Sequence, residues 1–403
     1  MSTDKEVIGQ GIYGCIHKPS VRCEENPEPG FDYNKYVSKF MLKKDAIKEF
    51  NEFLIIDNID KNNDYHLGRP IMCKPNLIFP TEKNAIKKCK RFNFNDIQQN
   101  PNNYSLLLLK YGGYDLKDFC TNYLNTFINV DRFWFSLNTL LEGIKLFHSY
   151  KISHNDIKPH NILFNPSTYE FRYIDFGLMD SYENMENTSL HNENALGIFH
   201  WSYPLETGFI NNEQFVSYKE KSKPLKIEFQ NKLTNSIING DEIEELENPE
   251  QFNTLFKFLY INPDKNIVEQ QINAFFNGFN DFISSVEYEE GIKMIIQSMD
   301  LFGLGFTIQY VANSFYKMDK IDKNFYDKLT KLCEKMYNFN ILHRELNIQL
   351  LIDEYKSILE ITGVLERLRH SKPIGGFKKR RKQKTNKKKY NKRKRTHKKR
   401  SLL

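Results

Sequence analysis

The spacing of apolar residues changes along the chain, and the change divides it. In the first 110 residues the apolar runs are short: Val7-Ile8, Cys15-Ile16, Tyr36-Val37 with Phe40-Met41, and the four leucines Leu106 to Leu109. Runs of this length, bounded by Gly, Pro and Asn, predict strands. Gly112-Gly113 ends the leucine run and predicts a hinge. Residues 45–59 place Ile47, Phe50, Leu54 and Ile55 near helical spacing. From Val130 to His148, the positions Phe133, Leu137, Leu140, Leu141, Ile144 and Phe147 trace one face of a long helix. Two short strand-like pieces follow, Ile162 to Phe164 and Phe171 to Ile174. Farther on, Ile272, Phe275, Phe276, Phe279, Phe282 and Ile283 form an amphipathic stripe, read as a core-facing helix. The pattern stops near Arg369.

Charge sharpens this division. From Lys372 to Leu403 the chain carries 17 Lys or Arg and no Asp or Glu. The remaining 41 basic residues face 51 acidic ones, so the body is acidic, near −10, although the whole chain is +7. A tract this basic cannot bury a core and is expected to be disordered. Six cysteines, Cys15, Cys23, Cys73, Cys89, Cys120 and Cys333, show no CxxC and no Cys/His cluster. They are read as reduced, in a cytoplasmic setting, with a bridge or a metal role at Cys15 and Cys23 as the minor alternative. No run of about 18 apolar residues appears, so no transmembrane segment is expected, and MSTDKEVIGQ lacks a signal-peptide pattern.

Three groups of residues carry chemistry. Gly9-x-Gly11-x-x-Gly14 lies between two predicted strands, where missing side chains let backbone approach phosphate oxygens. Flanking Ile8 and Ile16 are candidates for the same nucleotide site. His154-Asn155-Asp156-Ile157-Lys158-Pro159-His160-Asn161 is followed by Asp175-Phe176-Gly177, with Asn161 five and Asp175 nineteen residues after Asp156. Phosphoryl transfer needs cations on the phosphates and a carboxylate to orient the attacking hydroxyl. This set supplies both.

The two segments resemble the catalytic loop and magnesium-binding motif of eukaryotic-type protein kinases, in the form used on Ser and Thr. The resemblance implies an α+β, two-lobed fold. A small antiparallel-sheet lobe would span 1–111 and a mostly helical lobe 112–370, ahead of the basic tail at 371–403; a large helical insert at about 207–290 departs from the family's pattern. The resemblance implies ATP and Mg2+, with Mn2+ as an alternative ion, and a protein substrate bearing Ser or Thr. Asp156 then resembles the catalytic base and Lys158 the lysine on the transferring phosphate. Asn161 and Asp175 match the metal ligands, and Lys39 the lysine on the α- and β-phosphates. For the helix glutamate that pairs with Lys39, Glu52 is favoured over Glu49. His154, Gly177, Glu206 in Pro204-Leu205-Glu206, Asp300 and Arg344 match supporting positions, with Arg344 expected to pair with Glu206 and Asp300 to hold the catalytic loop.

Asn155 stands where the family has arginine, which puts control by a phosphorylated activation segment in doubt. Residues 197–203 lack the expected threonine, with Phe199 or His200 nearby. The stretch Tyr13 to Pro19 with Val37-Ser38-Lys39 is similar to a divergent group encoded by giant nucleocytoplasmic DNA viruses. That implies host cytoplasm or virion, with nuclear import through the tail as another route. The tail itself is read as a non-specific tether to nucleic acid or another polyanion, or as a solvated extension. Two readings stand beside the kinase: a kinase-like small-molecule phosphotransferase, and an inactive scaffold tethered to nucleic acid.

Overall fold

The computed structural model describes residues 5–11, 14–241 and 252–370. The expected tail, 371–403, lies outside the described residues, as do Ile12 and Tyr13 of the glycine turn.

The first lobe is a five-stranded antiparallel sheet in the order β1-β2-β3-β5-β4. Its strands are β1 (Glu6–Gln10), β2 (Gly14–Lys18), β3 (Tyr36–Leu42), β4 (Ile71–Cys73) and β5 (Tyr104–Lys110). Period-two alternation sends neighbouring residues to opposite faces. Met41 and Leu107 meet Ala46 and Phe50 of helix α1 (Lys43–Ile59) on one face. Phe40, Leu106 and Leu108 face the other way. That second face is covered by two excursions. One is the loop between β2 and β3. The other is the β4–β5 connection with its helices α2 (Pro80–Lys87) and α3 (Phe94–Gln99), which brings in Ala85, Ile86 and Ile97.

Two disulfides close this cover, Cys15–Cys89 and Cys23–Cys73. The reading of the cysteines as reduced and unbridged is therefore corrected. Cys15 and Cys23 do not join each other; each reaches a partner more than 49 residues away in sequence. Linear spacing hid this because only the folded sheet sets β2 beside the β4–β5 connection. Cys120 and Cys333 are buried thiols.

The stripe expected on residues 45–59 also needs correction. Ile47 and Leu54 are 41% and 46% exposed, and the buried positions are Ala46, Phe53, Ile56 and Ile59. Apolar residues surround this helix, so spacing alone could not choose the face that meets both the sheet and the second lobe.

The second lobe is mostly helical around one continuous apolar core. Its elements begin with β6 (Tyr114–Asp115), the short turn α4 (Leu116–Asp118) and α5 (Val130–Ser149), whose stripe residues are all buried. Strands β7 (Ile152–Ser153), β8 (Ile162–Asn165), β9 (Glu170–Tyr173) and β10 (Asp180–Ser181) frame the loops of the site, with α6 (Tyr182–Leu190) after them. The expected insert is helical: α7 (Asn212–Glu220), α8 (Lys223–Asn239), α9 (Phe252–Leu259) and α10 (Lys265–Ser285). All six apolar positions of the α10 stripe are buried. At the centre runs α11 (Tyr288–Lys317), 30 residues long and buried over most of its length, as expected of a helix apolar on all sides. Then come α12 (Lys323–Tyr337), α13 (Ile348–Ile361) and α14 (Val364–His370).

Two glycines fix how the parts meet. A Cβ on Gly113, whose φ is +99°, would fall 2.1 Å from the Phe164 carbonyl oxygen, so the hinge passes the second lobe with no room for a side chain. One on Gly14 would fall 2.2 Å from the Phe40 carbonyl oxygen, so this glycine answers first to the close approach of β3.

Candidate active site

Sheet, helix and loop converge between the lobes. β3 carries Lys39, whose ammonium pairs with Glu49 of α1. The expectation of Glu52 is thus corrected. Glu49 lies nearly a turn nearer the helix start, toward β3. Glu52 points past the sheet, its carboxylate 3.4 Å from where a Cβ on Gly177 would sit. Burial, reinforced by the charges of Glu49 and Asp175, pushes the Glu52 carboxyl up.

The exit of α1 is tied down by groups that sequence reading passed over. Asp60 accepts from the backbone N–H groups of Asp64 (2.9 Å) and Tyr65 (2.8 Å) and lies 2.8 Å from His66 Nδ1. His66 Nε2 lies 3.0 Å from Asp57, and its fully buried ring sits edge-on to Phe176. Phe176 also meets Phe53 and His154, each at 5.3 Å between ring centres. A continuous stack therefore runs from α1 through Phe176 to the loop that bears Asp156.

That loop is held from below by Asp300, deep in α11. Its carboxylate accepts from the backbone N–H of His154 (2.8 Å) and Asn155 (3.0 Å). His154 Nε2 donates to the Ile174 carbonyl at 3.2 Å, and its Nδ1 accepts from the Asp156 N–H at 3.3 Å. Asn155 and Asp175 both adopt left-handed backbone, at φ +63° and +66°. Asn and Asp tolerate that region better than bulkier residues do. Asn155 donates to the Leu178 carbonyl at 2.8 Å, so an amide joins this loop to the segment after Gly177.

Asp156 is the focus. Lys158 Nζ lies 2.7 and 2.9 Å from its two oxygens, and Asn161 Nδ2 donates to its carbonyl (2.9 Å) and its carboxylate (2.7 Å). Burial pushes the Asp156 carboxyl up, opposed by Lys158, and the charge of Asp175 adds to the rise. Asp175 bears electrostatically on both Glu52 and Asp156, and Lys39 on Glu52. The structure thus brings Lys39, Glu52, Asp175, Asp156, Lys158 and Asn161 around one cleft. Above it, Ile8 is 52% exposed and Ile16 half-buried, with Gly9 against Ile16. Nothing lies within 4 Å of where a Cβ on Gly11 would sit, which leaves open space at that turn.

A metal ion fits this donor set in one way. Both bonds of Asn161 Nδ2 go to Asp156, so its amide oxygen is the atom left for the cleft. Among the described residues, no group of three His, Cys, Asp or Glu could hold an ion unaided. Asn161 and Asp175 would supply two oxygens, suited to an ion completed by phosphates and water.

Away from the cleft, Arg344 and Glu206 form a buried pair in the second lobe. Nη1 contacts Oε1, Nη2 donates to Oε2 at 3.2 Å, and Nη1 also reaches Ser298 Oγ at 3.0 Å. His200 stands in the segment where the threonine is lacking. Its Nδ1 lies 2.9 Å from Ser202 Oγ. His160, inside the quoted loop motif, drew no role from the sequence.

Residues 80–203 match the family described as protein kinase domain. The chain is 26% identical over 179 residues to mitogen-activated protein kinase 14 of Arabidopsis thaliana, covering 44% of this chain and 41% of that one. It is 32% identical over 172 residues to a probable cyclin-dependent serine/threonine-protein kinase of Dictyostelium discoideum, covering 43% and 10%. Mitogen-activated protein kinase 6 of Arabidopsis thaliana is 26% identical over 174 residues, covering 42% and 36%. The chain spans less than half the length of each of these relatives. The family match includes the loop of Asp156 and the Asp175-Phe176-Gly177 motif, while Lys39, Asp300 and Arg344 lie outside it. Over those residues the chain is similar to protein kinase domains, and the antiparallel sheet with a helical lobe beneath it is a protein-kinase-like two-lobed arrangement.

Proposed function

We propose that the protein transfers the γ-phosphoryl group of ATP to Ser or Thr hydroxyls of proteins. One observation carries the reading: Asp156, braced by Lys158 and Asn161, shares a cleft with Asp175 and with the Lys39–Glu49 pair. A hydroxyl placed at Asp156 meets a carboxylate whose proton affinity burial has raised, which suits it to orient and accept the hydroxyl proton. Lys158, beside that carboxylate, would balance charge on the moving phosphoryl group, and Lys39 would grip the α- and β-phosphates. Mg2+, or Mn2+, held by Asn161 and Asp175, would neutralise phosphate charge when bound. The lobes would then divide at 111–112.

Placement among kinases of giant DNA viruses is also part of the proposal, supported by the Tyr13 to Pro19 and Val37-Ser38-Lys39 segments and the basic tail. A cytoplasmic location has one observation against it, since the two disulfides belong to an oxidising setting. No helix among the described residues is long and apolar enough to cross a membrane.

The test is transfer of labelled phosphate from ATP to protein, comparing wild type with Asp156→Ala. A positioned base contributes roughly 10²–10⁴-fold, and kcat should fall by that much while nucleotide binding persists. Equal transfer by both proteins would refute the assignment, and phosphoamino-acid analysis would separate Ser/Thr from Tyr.

A further inference from the structure

We propose that residues 178–204, the segment between Asp175-Phe176-Gly177 and Glu206, are held in working shape without a phosphate, by Asn155 on one side and the insert helix α7 on the other. The inference rests on the kinase reading and deepens it by naming how the site is controlled. The domain is active as folded, and Asn155 and α7 position the segment.

The first half of the segment is bound to the loop of Asp156. Asp180 and Ser181 of β10 pair antiparallel with Ser153 and Ile152 of β7, just ahead of His154. The Tyr182 N–H donates to the Lys151 carbonyl at 2.9 Å. Ser181 Oγ accepts from the Asn184 N–H at 3.1 Å and so caps α6. Tyr182, Met185 and Ser189 are buried, and α6 packs on α11. Asn155 closes the contact. Its Nδ2 donates to the Leu178 carbonyl at 2.8 Å and lies 3.4 Å from Met185 Sδ. The residue before Asp156 therefore grips both the entry of the segment and its helix.

The second half is bound to the insert. Gln214 of α7 donates to the Gly197 carbonyl at 2.7 Å, and the Glu213 N–H donates to Asn192 Oδ1 at 3.0 Å. A Cβ on Gly197 would run into Asn211 Nδ2, so the segment meets the start of α7 with no gap. Leu196, Phe199 and Trp201 are buried, with Phe199 against Phe209 of the insert at 5.2 Å between ring centres.

A regulatory phosphate has a poor place here. Residues 178–204 contain no Lys or Arg, but carry Asp180, Glu183, Glu186 and Glu193. Of the hydroxyl side chains in the segment, those of Tyr182, Ser189, Ser202 and Tyr203 belong to buried residues. Ser181 caps α6, and Thr188 Oγ1 donates to the Met185 carbonyl at 3.3 Å. Two lysines come near from outside. Lys151 lies 5.9 Å over the Tyr182 ring, and Lys48 bears on Glu52, which faces Gly177. Asn155 stands where an arginine would receive a phosphate, and its amide carries no charge. A phosphate would thus meet like charges without that forked cation, in a segment that neutral bonds already order.

The experiment measures phosphoryl transfer to protein by the full chain before and after phosphatase treatment, with mass analysis of residues 178–204 after each assay. The treated chain should stay within about twofold of the untreated one, because no charge-assisted bond is lost. So should Ser181→Asn with Thr188→Ala, which removes the less buried hydroxyls and keeps a cap on α6. Asn155→Gly accepts the left-handed backbone and removes the amide. Its kcat should fall about fivefold, the worth of one neutral hydrogen bond. KM for ATP should hold, and protease cleavage within 191–200 should speed up, as it should in Gln214→Ala. A loss of about tenfold or more on dephosphorylation, restored by phosphate on 178–204, overturns the inference and leaves the kinase reading standing. Wild-type kcat in Asn155→Gly does the same. No transfer to any protein, with the chain phosphorylated or not, overturns both.

Discussion

In the large lobe one apolar core runs from α5 through α11 to α13, and a fully buried ion pair, Arg344 with Glu206, sits inside that packing. In the small lobe the apolar side chains are split between the two faces of a thin sheet, and two disulfides hold the outer face closed. A large core can order buried charge because packing fixes the geometry around it. A lobe of some hundred residues built on a thin sheet buries less, and covalent closure makes up the difference.

The comparison breaks most sharply at Arg344. Arg344→Ala leaves Glu206 charged and fully buried, and should cost about 3–5 kcal/mol in denaturant unfolding. Arg344→Met with Glu206→Gln should recover part of it. If Arg344→Ala unfolds like wild type, the pair is not structural. Cys15→Ser with Cys89→Ser comes next, at about 2–4 kcal/mol, but confined to the small lobe. A separate early transition and a raised KM for ATP should appear together, because Cys15 follows Gly14 on β2. One cooperative transition shifted as a whole would argue that the lobes are not held by separate means.

The smallest effect is set by His17, on the same strand. Its ring is buried, Nε2 donates to the Ala85 carbonyl at 3.0 Å, and burial lowers its pKa from 6.5. The unfolded chain therefore binds a proton before the folded one does. Small-lobe stability is complete above pH 6.5 and declines on acidification until the lowered folded value is passed. His17→Gln keeps a donor and should flatten that decline, as read by thermal melts at pH 5 and 7.5.

Much of this was legible in the chain. The α5 and α10 stripes read correctly because each has one apolar face against one polar face. Asp156, Asn161 and Asp175 could be expected near one another because they match motifs of fixed spacing, and the fold brings them together. Glu49 was passed over for Glu52 because α1 is apolar on several sides, and only its docking shows which glutamate meets β3. The disulfides and the His66 cluster were hidden for another reason. Each depends on residues brought together by a sheet register or a loop closure that leaves no period in the sequence.

The two cross-links are nested, Cys23–Cys73 lying inside the span closed by Cys15–Cys89. A protease that cut anywhere between Cys23 and Cys73 would leave two fragments doubly joined, with Lys39 still carried beside its helix. The same single cut among the helices of the large lobe would leave its pieces held by packing alone.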